Sequence, residues 1–255
     1  MTIIIGIKCL NGIVVACDSQ TTSQSGYKDD KAEKLHAIEL QDGNQFIVGE
    51  AGSADFSSRA LEIMSALAKK RTMEDYRSVA KCAEDSIAEL RQHVRNQNKG
   101  SSSEELQNLF ELNAFEWMIA HYYDGKPYIF TLGFTDGLAI KRDKLHSAIG
   151  CGCILAEFLI SRLDLSGFGS GHGMWTAVYA VEEVKKFDSR CGGRTRAALI
   201  TNKNGLSHSI VNPDDAPMDE AIKEALAFSD ESKIKWRDTA EERIRAVIAR
   251  RNNPR

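Results

Sequence analysis

Proline is scarce, at 4 of 255 positions, and the chain holds no internal repeat or low-complexity tract; collagen-like, disordered and repeat architectures are excluded. Charge of neither sign is in excess, since 33 Lys plus Arg stand against 36 Asp plus Glu for a net charge of −3. Such a balance gives no general attraction for nucleic acid or an anionic membrane, and neither is expected as a partner. No apolar run approaches the ~20 residues of a membrane span. The stretch 1–17 is apolar, but it lacks a basic leader and is broken by Lys8, Asn11 and Gly12, so it reads as a hairpin and not as a signal peptide. The six cysteines (Cys9, Cys17, Cys82, Cys151, Cys153, Cys191) form no C-x-x-C pair. The histidines at 36, 93, 121, 146, 172 and 208 have no metal-ligand spacing. Reduced thiols, a cytoplasmic location, and neither metal nor organic cofactor are expected.

Hydrophobic residues make up 42% and charged residues 27%, enough apolar material for a sizeable core in a chain of this length. Ile3 to Cys9 and Ile13 to Cys17 are β-rich runs around Asn11-Gly12, a strong hairpin signal. A second hairpin is expected from Leu35 to Leu40 and Gln45 to Gly49. From Ser53 the apolar period becomes helical, with Phe56, Ala60, Ile63, Met64 and Leu67 on one face. Thr72-Met73-Glu74-Asp75 resembles a capping box and opens a longer helix carrying Tyr76, Val79, Ala83, Ile87, Leu90 and Val94. Asn96 to Ser103 reads as a loop, Ala114 to Tyr123 and Tyr128 to Phe134 as a third hairpin, and Leu138 to Lys141 and His146 to Ile149 as strands continuing the sheet. Helices follow at Ile154 to Leu163 and Met174 to Phe187, separated by a glycine-rich loop, Ser166 to Gly173. That loop lacks the Gly-Lys-Ser/Thr end of a phosphate loop and is read as ordinary. Thr195 to Thr201 and Leu206 to Ile210 close a last hairpin. Strands joined by hairpins and covered by helices make an α+β fold with antiparallel sheets. Residues 1–212 are assigned to this core and 213–255, helical and ending in a basic segment, to an appendage.

Thr2 follows the initiator Met, and a small second residue favours removal of Met1. Removal would place a free α-amine beside the Thr2 hydroxyl, so that nucleophile and base share one residue. With a reference pKa of about 7.7–8.0, that amine is partly unprotonated at neutral pH. Asp18 ends the second strand and Lys34 precedes the third, each sixteen residues from the previous member of the set. Antiparallel pairing of the first two strands brings Asp18 to the sheet end occupied by Thr2, and a lysine within reach of both would favour the neutral amine and a developing alkoxide. Taken singly, Thr2 reads as an ordinary β-branched strand residue, and Asp18 with Lys34 as a surface ion pair of small worth.

The runs Thr2-Ile-Ile-Ile-Gly6, Asn11-Gly-Ile-Val-Val-Ala16-Cys-Asp18-Ser-Gln-Thr-Thr22 and Lys31-Ala-Glu-Lys34-Leu35 resemble the N-terminal signature of proteasome β-type subunits, N-terminal threonine peptidases of the Ntn-hydrolase superfamily, here as a divergent bacterial-type homologue. The resemblance extends through Phe46-Ile-Val-Gly-Glu-Ala-Gly52, Ala148-Ile-Gly-Cys-Gly152 and Asp188-Ser-Arg-Cys-Gly-Gly193, and covers roughly residues 2–210. It implies a four-layer αββα sandwich with Thr2 as nucleophile, Asp18 as orienting acid and Lys34 as cation. Gly49 would supply the oxyanion N–H, and Asp188, Cys151 and Cys191 would surround the terminal amine. Both cysteines stand where the family usually has serines. Thr21, Thr22, Ala32, Ile47 and Ala51 would line the substrate pocket. The implied activity is threonine endopeptidase hydrolysis of peptides or unfolded protein, secluded in a homo-oligomeric ring or stacked assembly. An ATPase unfoldase is allowed for as partner. A small-molecule amidase on the same scaffold and a noncatalytic assembly subunit that keeps Met1 are the alternatives.

Overall fold

Strand β1 (Ile3–Cys9) turns into β2 (Gly12–Asp18), with Ile4 opposite Cys17 and Cys9 opposite Gly12. Both strands are covered on both faces. Ile3, Ile5, Ile7, Val14 and Ala16 point into a helix layer, while Ile4, Ile13, Val15 and Cys17 point into a core shared with a second sheet. A strand buried on both faces has no polar side to alternate with, which is why this part of the sequence runs nearly continuously apolar.

The computed structural model describes residues 2–22, 28–73, 75–134, 145–163, 167, 169–203 and 206–208. After β2 come two-residue strands β3 (Thr21–Thr22) and β4 (Lys28–Asp29), then β5 (Leu35–Glu39), β6 (Gln45–Gly52), and helices α1 (Ala54–Ala68), α2 (Tyr76–Gln97) and α3 (Ser103–Leu112). Strands β7 (Phe115–Tyr123), β8 (Lys126–Gly133) and β9 (His146–Gly150) follow, then α4 (Cys153–Ser161), α5 (Ser170–Phe187), β10 (Thr195–Lys203) and β11 (Leu206–His208). One sheet has the order β11-β10-β2-β1-β9 and the other β5-β6-β7-β8, all antiparallel, with β3-β4 a separate ribbon. Alternate residues of β6 and β7 sort to the two faces: Phe46, Val48, Trp117 and Ile119 meet α1 and α2, and Ile47, Met118 and Ala120 meet the first sheet. Helices α4 and α5 cover the other outer face. The result is the αββα sandwich expected from the sequence. Among the described residues no helix is long and apolar enough to cross a membrane.

Several boundaries differ from the sequence reading. Helix α2 is capped by Asp75, whose carboxylate accepts the Ser78 N–H at 2.8 Å, so Thr72 is not its cap. The capping box belongs instead to α3, where Ser102 and Glu105 satisfy each other's backbone N–H groups; this short helix sits in a stretch that the apolar period left unassigned. Helix α5 begins at Ser170, inside the glycine-rich segment read as loop. Glycine at 173 is a packing requirement there, because a Cβ would lie 2.3 Å from the Cys9 sulfur. Strand β9 does not extend the hairpin before it but crosses to pair with β1. The strand expected at 138–141 and the appendage 213–255 lie outside the described residues.

His121 is the polar exception on the helix-facing side of β7. It is buried between the rings of Phe46 and Tyr123, and neither ring nitrogen has a hydrogen-bond partner among the described residues. Burial pushes its pKa down to about 4, with the Asp42 charge opposing. The unfolded chain therefore takes a proton near the ordinary value of about 6.5 while the folded chain resists it. His121 contributes full stability above that value and loses it as pH falls towards 4. Urea unfolding at a series of pH values should show a decline of roughly 3 kcal/mol from this residue across the window, and His121→Leu should remove that part of the slope. A variant with the wild-type slope would place the titrating group elsewhere.

Candidate functional site

Thr2 stands at the entry to β1, and the β1–β2 register places Asp18 beside it. The Ile3 N–H donates to Asp18 Oδ1 at 3.0 Å. Lys34 comes from the segment entering β5; its ammonium donates to the same Oδ1 at 2.7 Å and to the Gln20 carbonyl at 2.6 Å. The third donor to Asp18 is the Gly192 N–H, 2.9 Å from Oδ2. Asp18 is 0% exposed, Lys34 2% and Thr2 4%, so this is no surface ion pair. The loop around Gly192 is closed onto β2 by the Ser19 and Gln20 N–H groups, both donating to the Gly192 carbonyl. Gly193, at φ 70°, makes the turn that β10 needs before pairing Thr195 with Asp18. Gly192 and the Gln20 carbonyl escaped the sequence reading because a glycine and a backbone oxygen carry no side-chain signal.

On the other side of β1, Ile3 is opposite Gly150. Gly150 has φ 89°, and a Cβ there would sit 2.1 Å from the Thr2 carbonyl oxygen, so only glycine lets β9 end this close to the chain start. Cys151 follows; its thiol donates to the Thr2 carbonyl at 3.4 Å and lies 3.5 Å from the Cys191 sulfur. Asp188 caps α5, and Arg190 holds its carboxylate through the backbone N–H (3.0 Å), Nε (2.8 Å) and Nη2 (2.9 Å). The hydrogen bond from Cys191 brings the Cys151 thiol down to about 6, with the Thr2 backbone assisting against burial. The same bond, with burial, pushes Cys191 up. Arg190 holds Asp188 below the usual carboxylate range. Burial instead raises Cys9 to about 11, Cys17 to about 12 and Cys82 to about 11, leaving those thiols inert.

The direction of one expected N–H, that of Gly49, follows from the strand register. Ser53 N–H donates to the Ala114 carbonyl and Glu50 N–H to the Lys34 carbonyl at 2.9 Å. Since N–H directions alternate along a strand, odd-numbered residues of β6 point theirs at β7. Gly49, opposite Met118, therefore spends its N–H on the sheet and not on the Thr2 side. Its smallness has another use, since a Cβ at 49 would lie 2.8 Å from the Ile4 side chain. On the Thr2 side, beyond the end of β5, the next N–H in the series is that of Gly52, at φ 110°. Ile47 and Ala51 are both buried members of the inter-sheet core. Ala51 lies near Gly150, Ala32 N–H donates to the Ser19 carbonyl at 3.0 Å, and Thr21 and Thr22 pair with Asp29 and Lys28. These surround the strand end that carries Asp18.

A buried ion pair broken on one side leaves an uncompensated charge. Lys34→Met should accordingly lower unfolding free energy by about 3–5 kcal/mol. Adding Asp18→Leu to it should restore part of that loss, because the stranded carboxylate is removed as well. Chemical denaturation of the three variants measures the coupling; strict additivity would show that the pair does not act as one unit.

No protein-family model matches the chain, and no curated protein matches it. Solved structures do. The Anbu (Gly-1) mutant from Hyphomicrobium sp. strain MC1 superposes with a TM-score of 0.71 at 14% identity, covering 94% of this chain and all of that one. The Anbu complex from Pseudomonas aeruginosa, solved as a helical assembly, gives 0.66 at 13% identity over 91% of this chain and 96% of that one. Eukaryotic HslV from Trypanosoma brucei gives 0.55 at 14% identity over 78% and 99%. Identities this low make the likeness one of fold: the chain has the Ntn-hydrolase architecture of Anbu and HslV.

Proposed function

We propose that the chain is a threonine peptidase whose nucleophile is Thr2, exposed by removal of Met1, and that it works as a homo-oligomer. The observation that carries this reading is the buried Lys34–Asp18 pair attached to the residue next to Thr2. A buried ion pair is a poor stabiliser compared with apolar packing, so its presence at the strand end that carries a candidate nucleophile calls for a chemical role. In that role the Thr2 amine accepts the Oγ proton and Oγ adds to the peptide carbonyl. Lys34, held by Asp18 and the Gln20 carbonyl, stabilises negative charge arising at Oγ. The Gly52 N–H takes the place first assigned to Gly49 and donates to the tetrahedral oxyanion. The amine returns its proton to the leaving nitrogen, and water then hydrolyses the Thr2 ester. Asp188 and the two thiols fix the amine from behind.

The homo-oligomer has its own support. On α4, Ile154 is 82% exposed and Phe158 51%, an i, i+4 apolar pair on the outer layer that a neighbouring copy would cover. Anbu from Pseudomonas aeruginosa forms a helical assembly, and a peptide or unfolded chain admitted to such an enclosure is the substrate this reading expects. Cys151 and Cys191 weigh for the second reading, a noncatalytic assembly subunit, since thiols hydrogen-bond more weakly than hydroxyls.

Intact mass of the purified protein separates the two, because the peptidase must lack Met1. A peptide boronate should then block hydrolysis of a fluorogenic peptide panel, and Thr2→Ala should neither bind it nor cleave. Lys34→Ala should lower kcat by at least about a hundredfold. Cleavage by Thr2→Ala at the wild-type rate would end the proposal. Separately, replacing Ile154 and Phe158 by Glu should move the particle to smaller species in light scattering; an unchanged mass would place the assembly contact elsewhere.

A further inference from the structure

We propose that Cys151, Cys191 and Asp188 form a binding site for a thiophilic closed-shell cation, Zn²⁺, with the Thr2 α-amine or a water at the fourth position. The donors come from three places: the turn between β9 and α4, the last turn of α5, and the loop before β10. Their ligand atoms all lie within 4.8 Å of one another. In a tetrahedral zinc site with Zn–S bonds of about 2.3 Å, two sulfurs stand about 3.8 Å apart. Here they are 3.5 Å apart, so a cation needs only a small spreading of the pair.

Each donor is held by backbone that packing fixes independently. The Cys191 N–H donates to the Asp188 carbonyl at 2.9 Å, which sets the two ligands on one tight turn. Gly192, next in the chain, is tied to Asp18. Gly152 has room only for hydrogen, since a Cβ would lie 2.5 Å from Val184 and 3.3 Å from the Cys191 sulfur. The charges also close. Two thiolates and a carboxylate carry three negative charges, the cation two positive and the Arg190 guanidinium one. Arg190 clamps the Asp188 carboxylate from the solvent side, as an outer partner that orients a ligand. On binding, the two thiol protons pass to solvent and no electron moves. Sequence spacing could not show this site, because forty residues separate its cysteines.

The three-ligand site stands on these contacts alone. A consequence that rests on the peptidase reading is inhibition: Thr2, whose carbonyl touches Cys151, would lend its amine lone pair to the cation and lose its base. Zn²⁺ would then be a reversible off-switch.

The test uses the full chain, kept reduced by a phosphine, stripped with chelator and titrated with Co²⁺ and then Zn²⁺. One cation per chain is expected, with a thiolate-to-cobalt charge-transfer band and intense tetrahedral d–d bands, both erased by Zn²⁺. Cys151→Ser and Cys191→Ser should each weaken Zn²⁺, in competition with a chromophoric chelator, by more than the roughly 10–100-fold lost with an outer partner. Asp188→Asn should cost at least about tenfold, and Cys153→Ser should change nothing. A fully reduced wild-type chain without the charge-transfer band, or a band that survives in the Cys151→Ser and Cys191→Ser double variant, overturns the site. Boronate labelling of the metal-free chain is read separately. Labelling without cation binding removes the metal site and keeps the nucleophile, whereas cation binding without labelling does the reverse. Labelling blocked by Zn²⁺ and restored by chelator supports both.

Discussion

The Asp18 carboxylate organises this molecule. It has no exposure to water, and burying a charge is tolerated only where donors replace the lost hydration. Its three donors among the described residues come from β1, from the segment entering β5 and from the loop before β10, so satisfying one side chain joins both sheets and closes the end of the sandwich. The same bonds place Thr2, Lys34 and the 188–193 turn around one point. What holds the fold shut at this end therefore also builds the site. Removing any of these partners therefore perturbs the fold and the candidate site together.

Close approach between layers is the second constraint, and glycine meets it. At 49 a side chain would collide with Ile4 across the sheets, at 150 with the Thr2 carbonyl, and at 173 with Cys9 beneath α5. These are different demands, two on packing space and one also on a positive φ. In a sequence they look alike, and nothing at position 49 itself tells a glycine needed for space from one whose N–H faces a ligand. The alternation of N–H directions along β6, a property of strand register that no single residue carries, points the Gly49 N–H at β7.

Legibility followed the same division. The hairpin marked by Asn11-Gly12, the helix faces of α1 and α2, and the alignment of Thr2, Asp18 and Lys34 at one sheet end were readable because each depends on local chemistry or on a short-range pairing. The crossing of β9 to β1 was not, since a strand between two sheets has the same apolar pattern whichever it joins. Helix α3 was missed because its apolar content is small and its stability comes from the Ser102–Glu105 cap and from Leu109 and Phe110 reaching the core. Capping chemistry placed at the wrong helix start, Thr72 for Asp75, shows how degenerate such signals are when several acidic and hydroxyl residues adjoin.

The Cys151–Cys191 pair, 3.5 Å apart, has a chemistry that a pair of hydroxyls would lack. If serines stood at 151 and 191, they could position an amine through hydrogen bonds but offer a soft cation little. Thiols reverse that preference: they are weaker hydrogen-bonding groups and far stronger ligands once ionised. On the two proposals Asp188 would serve in either case, as an acceptor for the amine or as a carboxylate ligand. The two proposed uses would be mutually exclusive, because an amine lone pair bound to a cation cannot take the proton of its own hydroxyl. Competition for that single lone pair would couple catalysis to metal supply without any change in fold.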